Sequence, residues 1–302
     1  MGQLPEGDGI FLDHLAFFVA DMGAAETLLQ AMGFVLTPFT HQQNRGPDGP
    51  VPAGTANRCI MLRAGYVEIL TAVTPTPLSD RLKAAVARYP GLHLIAYVAG
   101  DLDAAVARLA AGGFEPDPPV ALRRPVELPG GGTAEAAFSV VRVPPEKMPE
   151  GRIQVLAHHT PDIVWQERWM DQPNGIVGLE GALLVMPDPA EAISRFAAFA
   201  GGKRSTPRPG LSVLAHDRGW LAFTETARVG EVLPAAPCDC PTPWIAALTL
   251  RSADLARTRA HFEEAGLAPA EDDGGRMLYR LPEALGGFLE ILGPGSGSRF
   301  TA

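Results

Sequence analysis

Apolar and polar residues alternate along the chain in a pattern that occurs four times. Each copy opens with an apolar segment typical of a strand, passes through a turn at an aspartate, and continues as an amphipathic helix. The first copy is LDHLAFFVADMGAAETLLQAMGF, residues 12–34, and the second is GLHLIAYVAGDLDAAVARLAAGGFEP, residues 91–116. Two fainter copies cover residues 179–202 and 244–267. This self-similarity indicates an internal repeat.

Three shorter segments that predict strands follow each strand–helix unit. In the first copy they are VLTPFTH, NRCIMLRA and YVEILTAV, and in the last they are APAEDD, RMLYRLP and GFLEIL. The repeating unit is therefore β-α-β-β-β. A unit of about 60 residues is too small to bury one face of a curved sheet by itself, so we expect the units to pair.

The predicted fold is α+β, with four β-α-β-β-β modules paired into two domains. Turn residues interrupt the apolar pattern at DQPNG, residues 171–175. We therefore predict an N-terminal domain over residues 8–172 and a C-terminal domain over residues 173–302.

Polar residues recur at matching positions of the first two modules. If one inserted residue is allowed between the copies, His14 matches His93 near the start of a first strand, and Glu68 matches Gln154 in a last strand. Side chains alternate along strands, so these four can meet inside one cavity between paired modules. The corresponding positions of the other two modules are Gly181, Ala222, Ala246 and Glu290. The fold itself thus does not require polar residues there, and we expect the C-terminal domain to bind no metal.

The overall charge limits the classes of partner. The chain has 34 acidic and 25 basic residues, for a net charge of −9, which argues against nucleic acid or an anionic membrane as a partner. We find no apolar run of the roughly 18 residues that a membrane helix needs, no secretory signal, and only three cysteines. The expectation is a cytoplasmic monomer or homodimer that acts on a small molecule. No basic cluster near the predicted site points to a phosphate group.

These motifs resemble the vicinal oxygen chelate superfamily, and within it the glyoxalase-like domain proteins of bacteria. The resemblance covers nearly the whole chain as paired modules and is sharpest from Leu12 to Asn174, including LDHLAFFV, GTANR, YVEIL and GLHLIAYV. It implies one divalent metal, with zinc, nickel, cobalt, manganese or iron as candidates. The implied ligands are His14, Glu68, His93 and Gln154. Gln154 is the weakest donor of the four, and without it three ligands remain.

The resemblance also implies a reaction class. A glyoxalase-type lyase or isomerase would stabilise an enediolate of a small oxygen-rich substrate on the metal, with Glu68 as ligand or base. One alternative is an Fe(II) extradiol-type dioxygenase that uses His14, His93 and Glu68 as its triad. Another is a protein that binds a small ligand without chemistry. The candidates for additional acid–base residues are His41, Tyr97, His158 and His159.

Overall fold

The computed structural model describes residues 2–46, 49–234, 236–237 and 239–302, and its strands and helices follow the predicted repeat. The elements of the first two modules, with the helices around them, are β1 (Ile10–Val19), α1 (Met22–Ala31), β2 (Thr40–Gly46), β3 (Gly49–Met61), β4 (Tyr66–Ala72), α2 (Pro77–Arg88), β5 (Gly91–Ala99), α3 (Leu102–Ala111), β6 (Val120–Glu127), β7 (Thr133–Arg142), a 3-10 turn (Pro145–Lys147), β8 (Arg152–His158), α4 (Pro161–Val164) and α5 (Glu167–Met170).

The last two modules have the same order of elements. They comprise β9 (Ile176–Met186), α6 (Pro189–Ala200), β10 (Lys203–Arg208), β11 (Leu211–Ala215), β12 (Trp220–Glu225), a 3-10 turn (Thr226–Arg228), α7 (Val229–Val232), β13 (Trp244–Ser252), α8 (Leu255–Glu264), β14 (Glu271–Asp272), β15 (Arg276–Arg280) and β16 (Phe288–Leu292). The longest helices of the described chain have 12 residues, and none has the length and apolarity needed to span a membrane.

The strand pairing confirms the α+β fold of paired modules. In every module the last strand lies parallel to the first, as β1–β4, β5–β8, β9–β12 and β13–β16. The first strands of neighbouring modules then pair antiparallel, β1 with β5 and β9 with β13. Between the two module pairs, β5 and β13 share one residue pair, Leu92 with Ile245, and isolated bridges join Phe11 to Arg218 and Ala64 to Gly178. The predicted domain division at residues 172–173 falls between α5 and β9, and it stays a prediction.

The aspartate before each module helix is the N-cap of that helix. The side chains of Asp21, Asp101, Asp188 and Asp254 accept hydrogen bonds of 3.0–3.1 Å from backbone N–H groups of the first turn. These bonds satisfy donors that have no partner within the helix. The repeated aspartate is therefore explained by local helix chemistry.

The module helices lie in one hydrophobic core that both module pairs share. Leu29, Leu109, Phe196 and Phe262, one from each helix, are buried in this core. Aromatic pairs from different halves meet there, with ring centroids 6.2 Å apart for Phe34 and Phe262, and 5.1 Å apart for Phe114 and Phe199. Because the helices cover one face of the sheets, each module pair presents its other face as a concave surface.

The structure differs from the predicted strand bounds in the first and last modules, and β3 begins at Gly49, ahead of the predicted segment NRCIMLRA. The segment VLTPFTH is irregular up to Phe39, and β2 begins only at Thr40. Its backbone is held by other partners, since the N–H of Val35 donates to the Gln172 side chain and the N–H of Thr37 donates to the Cys59 carbonyl. In the last module β14 has only two residues.

Candidate active site

The concave face of the first module pair encloses a cavity of about 550 Å³. His14 on β1, Glu68 on β4 and Gln154 on β8 line it, and all three are buried. His41 on β2 also lines it from an exposed position near the rim, with its ring 5.3 Å from the ring of Phe39. Three of the four predicted ligand residues are thus on one cavity wall.

A β-bulge in each first strand decides which residues face this cavity. The antiparallel pairing of β1 and β5 skips Asp13 in β1 and His93 in β5. A bulge lets two successive side chains leave the strand on the same side. Asp13 is therefore able to lie beside His14, although strict alternation would separate them.

The strand register also corrects the predicted equivalence of the two modules. His14 is opposite Tyr66 on the last strand of its module, and Leu94 is opposite Arg152 on the last strand of the other. The position equivalent to His14 is therefore Leu94, which cannot ligate a metal. His93 is equivalent to the bulged Asp13.

His93 lies outside the cavity and serves the connection between α2 and β5. Its Nε2 is 2.8 Å from the carbonyl oxygen of Tyr89, and its ring stacks on that of Tyr89 at 4.1 Å. The hydroxyl of Tyr89 accepts a hydrogen bond from the N–H of Ile245 in the other module pair. His93 therefore supports the junction of the two halves.

Lowering the pH from about 6.5 to 4 is expected to weaken folding through His93. Burial lowers the pKa of His93 to about 4 from its ordinary 6.5, so the unfolded chain binds a proton in this range and the folded chain does not. The free energy of unfolding therefore decreases by about 3 kcal/mol as the pH falls from 6.5 to 4. Burial also lowers the pKa of His216 to about 4.

Urea unfolding between pH 7 and pH 4 measures this loss. His93→Leu should reduce the pH dependence of the free energy of unfolding, and the remaining dependence should include that of His216. A variant with the same pH dependence as the wild-type protein would contradict this assignment.

The imidazole of His14 is oriented by Asp13. Its Nδ1 is 2.7 Å from Asp13 Oδ2, and its ring stacks on Tyr66 with centroids 4.3 Å apart. Because an ionised carboxylate only accepts hydrogen bonds, the Nδ1 atom carries the proton, and the lone pair is on Nε2. That Nε2 is 3.8 Å from Glu68 Oε2.

Asp13 is fully buried and is surrounded by positive or protonatable groups. Nε2 of His158 is 3.3 Å from both of its carboxylate oxygens. Burial alone would raise the pKa of Asp13, but the charge of His158 and the hydrogen bonds from His14 and His158 hold it well below its ordinary value. The charge of Asp13 also acts on the buried guanidinium of Arg218, from the second module pair. Asp13 therefore remains an anion behind His14.

Glu68 is held in place through one of its two oxygens. Oε1 accepts hydrogen bonds from the amides of Asn57, at 2.5 Å, and Gln42, at 3.2 Å. The hydroxyl of Thr55 donates to the Gln42 amide oxygen at 2.7 Å and orients that amide. Oε2 is thus left to face His14 and the cavity.

Three other predicted acid–base residues are not among those that line the cavity. Tyr97 is buried in the core on the helix-covered face, with its ring near those of Phe199 and His216. His158 lies behind the cavity wall, between Phe138 and Trp165, and reaches the site only through Asp13. His159 is exposed and close to the Ser139 hydroxyl, 2.8 Å away.

Five arginines line the cavity, contrary to the sequence-based expectation of no basic cluster. Arg123 and Arg168 have hydrogen-bond partners, and the other three are Arg124 on β6, Arg142 at the end of β7 and Arg152 at the start of β8. Strand alternation could have revealed Arg124, because Leu122, Arg124 and Val126 share the less exposed face of β6. Arg142 and Arg152 come together only through the pairing of β7 with β8, which the sequence pattern does not specify.

The described residues do not fit the predicted metal centre. No group of three or more histidine, cysteine, aspartate or glutamate side chains is arranged to hold an ion in the described part of the chain. Beside His14 and Glu68, the neutral amide of Gln154 occupies the third predicted ligand position, Leu94 stands at the fourth, and His41 lies apart near the rim. Resident zinc or iron sites in enzymes typically use three imidazole, thiolate or carboxylate ligands.

The concave face of the second module pair is filled by side chains. Trp220 covers Gly181, where an added Cβ would lie 2.3 Å from the indole ring, and the buried Phe300 packs nearby. Glu290 accepts hydrogen bonds from the hydroxyls of Thr249 and Ser298 and from the backbone N–H of Arg299. The strand register places Ala247, and not the predicted Ala246, at the position of β13 that corresponds to His14 in β1.

Comparison with solved structures supports the fold. A hypothetical protein from Staphylococcus aureus matches with a TM-score of 0.65 at 8% identity, over 94% of this chain and 99% of its own. A mutant of 4-hydroxymandelate synthase from Streptomyces coelicolor matches at 0.57 and 13% identity, over 97% and 96% of the two chains. The Mn(II)-bound glyoxalase from Novosphingobium aromaticivorans matches at 0.55 and 14%, over 98% and 85%. A search of curated protein sequences finds no match.

The sequence itself matches a family model. The glyoxalase-like domain model aligns with residues 12–199, which is more than half of the chain. This match spans the first module pair and the first strand and helix of the third module. It agrees with the resemblance inferred from the sequence motifs, and the chain belongs to the glyoxalase-like domain family.

Proposed function

We propose that the protein is a lyase or isomerase of the glyoxalase type, which moves a proton at a carbon next to a carbonyl group of a small oxygen-rich substrate. The observation that carries the proposal is the buried Asp13–His14 pair, whose free Nε2 faces Glu68 across the cavity. A base that is already oriented and backed by a fixed carboxylate is suited to proton abstraction.

His14 acts as the base in this proposal. Nε2 takes the proton from the substrate carbon, and the electron pair of the broken C–H bond moves to the carbonyl oxygen as an enolate. The imidazolium that forms is stabilised by Asp13, which remains an anion because of its surroundings. Asp13 is thus a positioning residue with an electrostatic role.

Glu68 completes the chemistry. Oε2 of Glu68 is the oxygen without an amide partner, and it exchanges a second proton with the substrate. Return of the proton to the former carbonyl carbon completes an isomerisation. Loss of a leaving group from the carbon on the other side of the deprotonated carbon, with the carbonyl group re-formed, completes an elimination.

The side chains of the cavity support the dioxygenase alternative less well than they support a lyase or isomerase. An iron triad needs two histidines and one carboxylate on the same cavity, and Leu94 stands where the second histidine would be. Oxygen uptake by Fe(II)-loaded protein with a catechol panel tests that alternative, and ring cleavage coupled to oxygen uptake would establish it over the lyase or isomerase.

Hydrogen exchange in D₂O tests the proposed function before the substrate is known. Wild-type protein is incubated with a panel of 2-oxoacids, 2-hydroxyaldehydes and phosphorylated ketones, and proton NMR follows the loss of the signal next to the carbonyl. We expect catalysed exchange for at least one class of compound. Binding of these compounds without exchange in any of them would instead favour a protein that only holds its ligand.

A further inference from the structure

We infer that Arg124, Arg142 and Arg152 form a binding subsite for a doubly negative group of the substrate, a phosphate ester or a dicarboxylate. This inference rests on the proposed function, because it names the substrate class for the same cavity. All three side chains line the cavity that contains His14 and Glu68, and all three are partly buried. They come from three neighbouring strands of the second module.

The three guanidinium groups have no hydrogen-bond or ion-pair partner within the described residues. None of them makes a side-chain hydrogen bond or ion pair, and the Nε of Arg142 is buried without an acceptor. Other arginines of this region have partners. Arg123 is ion-paired with Glu135 and Arg63 with Glu167, and Arg168 donates to the Gln166 side chain and the Glu127 carbonyl. A charged group that is removed from water without a partner is costly, and a bound anion offsets that cost.

The aromatic contacts of this cluster fix the positions of two of its members. The guanidinium carbon of Arg152 lies 5.3 Å from the ring centroid of Phe18, and that of Arg124 lies 5.9 Å from the ring centroid of Phe138. These contacts with the ring faces take up no N–H group in a hydrogen bond, so the N–H groups remain available to an anion. Planar N–H edges match the paired oxygens of carboxylate and phosphate.

The charge balance favours a dianion. Burial and the charge of Arg142 lower the pKa of Arg152 to about 10, against the opposing charge of Glu68. Asp117 partly offsets the charge of Arg142. At neutral pH all three arginines are charged, and Glu68 is the one carboxylate near the cluster that also faces His14. The cluster therefore retains an excess of positive charge inside a chain whose net charge is −9.

The strand register sets the distance between this subsite and the base. Arg152 is paired across the sheet with Leu94, which is paired with Ala16, two residues along β1 from His14. Two strand spacings and two residues along the strand separate the backbone of Arg152 from that of His14, about 12 Å in all. A long arginine side chain reaches back over part of that distance, so one small molecule can contact both groups.

Anion binding is measured by isothermal titration and thermal melting with inorganic phosphate, malonate and acetate at constant ionic strength. We expect phosphate or malonate to bind and to raise the melting temperature, and acetate to do so weakly. Stronger binding of phosphate would identify the group as a phosphate ester, and stronger binding of malonate would identify a dicarboxylate. Binding of neither dianion overturns the inference.

Substitutions locate the site. Arg152→Gln and Arg124→Gln should each weaken binding of the dianion about tenfold or more, because each removes charged hydrogen bonds. Both variants should melt at or above the wild-type temperature without the anion, since a like-charge repulsion is lost. Arg63→Gln, at an exposed ion-paired arginine outside the cavity, should bind as the wild type does. Equal binding by Arg152→Gln and the wild type overturns the inference, as does an equal loss in Arg63→Gln.

This test separates the inference from the proposed function, since anion binding requires no chemistry. Arginine-dependent binding of a dianion by a protein that exchanges no protons would leave the subsite standing and refute the proposed function. Catalysed exchange in a protein that binds neither dianion would support the proposed function and refute the subsite.

Discussion

Replacing His14 by glutamine is expected to lower the rate of substrate deuterium exchange by about 100- to 10,000-fold, the usual contribution of a positioned base. The glutamine amide can still donate a hydrogen bond to Asp13, but it has no basic nitrogen to face Glu68. The NMR exchange rate under saturating substrate measures the effect. Substrate affinity should change much less, because the arginines that hold the anionic group are untouched.

His93→Gln is the matched control for this experiment. Both histidines lie in first strands of paired modules, both are buried, and the sequence pattern alone treats them as equivalents. Because His93 contacts Tyr89 and does not line the cavity, its replacement should preserve the exchange rate at pH 7. Equal losses in the two variants would contradict the assignment of His14 as the base.

Replacing Leu94 by histidine is expected to create a divalent metal site. The new imidazole would join His14 Nε2 and Glu68 Oε2 as a third strong donor on the same concave face, and three such ligands with an open position are typical of catalytic zinc. After incubation with zinc or manganese and gel filtration, Leu94→His should retain close to one ion per chain. The wild-type protein should retain much less.

A double variant shows whether the ion is held where this account places it. Combining Leu94→His with His14→Gln removes one of the three donors, so metal content should return to the wild-type level. Stoichiometric metal in the wild-type protein, at the same level as in Leu94→His, would contradict the assignment of Leu94 as a missing ligand.

Much of the fold follows from local pattern. The apolar first strands, the aspartate N-caps and the apolar spacing of the module helices are short-range features, so residues such as Asp21 and Asp101 could be placed from the sequence. The bounds of the outer strands could not be placed from the sequence. Val35 and Thr37 look strand-forming, but tertiary partners, including Gln172 far along the chain, hold their backbone in irregular conformation.

The site was predictable where strand alternation is regular. Glu68 and Gln154 follow that rule, and His14 lies on the same face. The two bulges break the rule, since an extra residue in β5 turns His93 away and an extra residue in β1 brings Asp13 beside His14. A bulge leaves little trace in a single sequence, because it depends on the pairing of two distant strands. For the same reason the arginines of β7 and β8 could not be placed together.

The central claim is that the Asp13–His14 pair moves the proton without a bound metal. The most direct measurement is the deuterium-exchange rate of wild-type protein after prolonged dialysis against a strong chelator, with metal content determined on the same sample. We predict that the stripped protein keeps its full rate and that added zinc, nickel, cobalt, manganese or Fe(II) does not increase it. A stripped protein that loses exchange and regains it with one equivalent of a divalent metal would contradict the account.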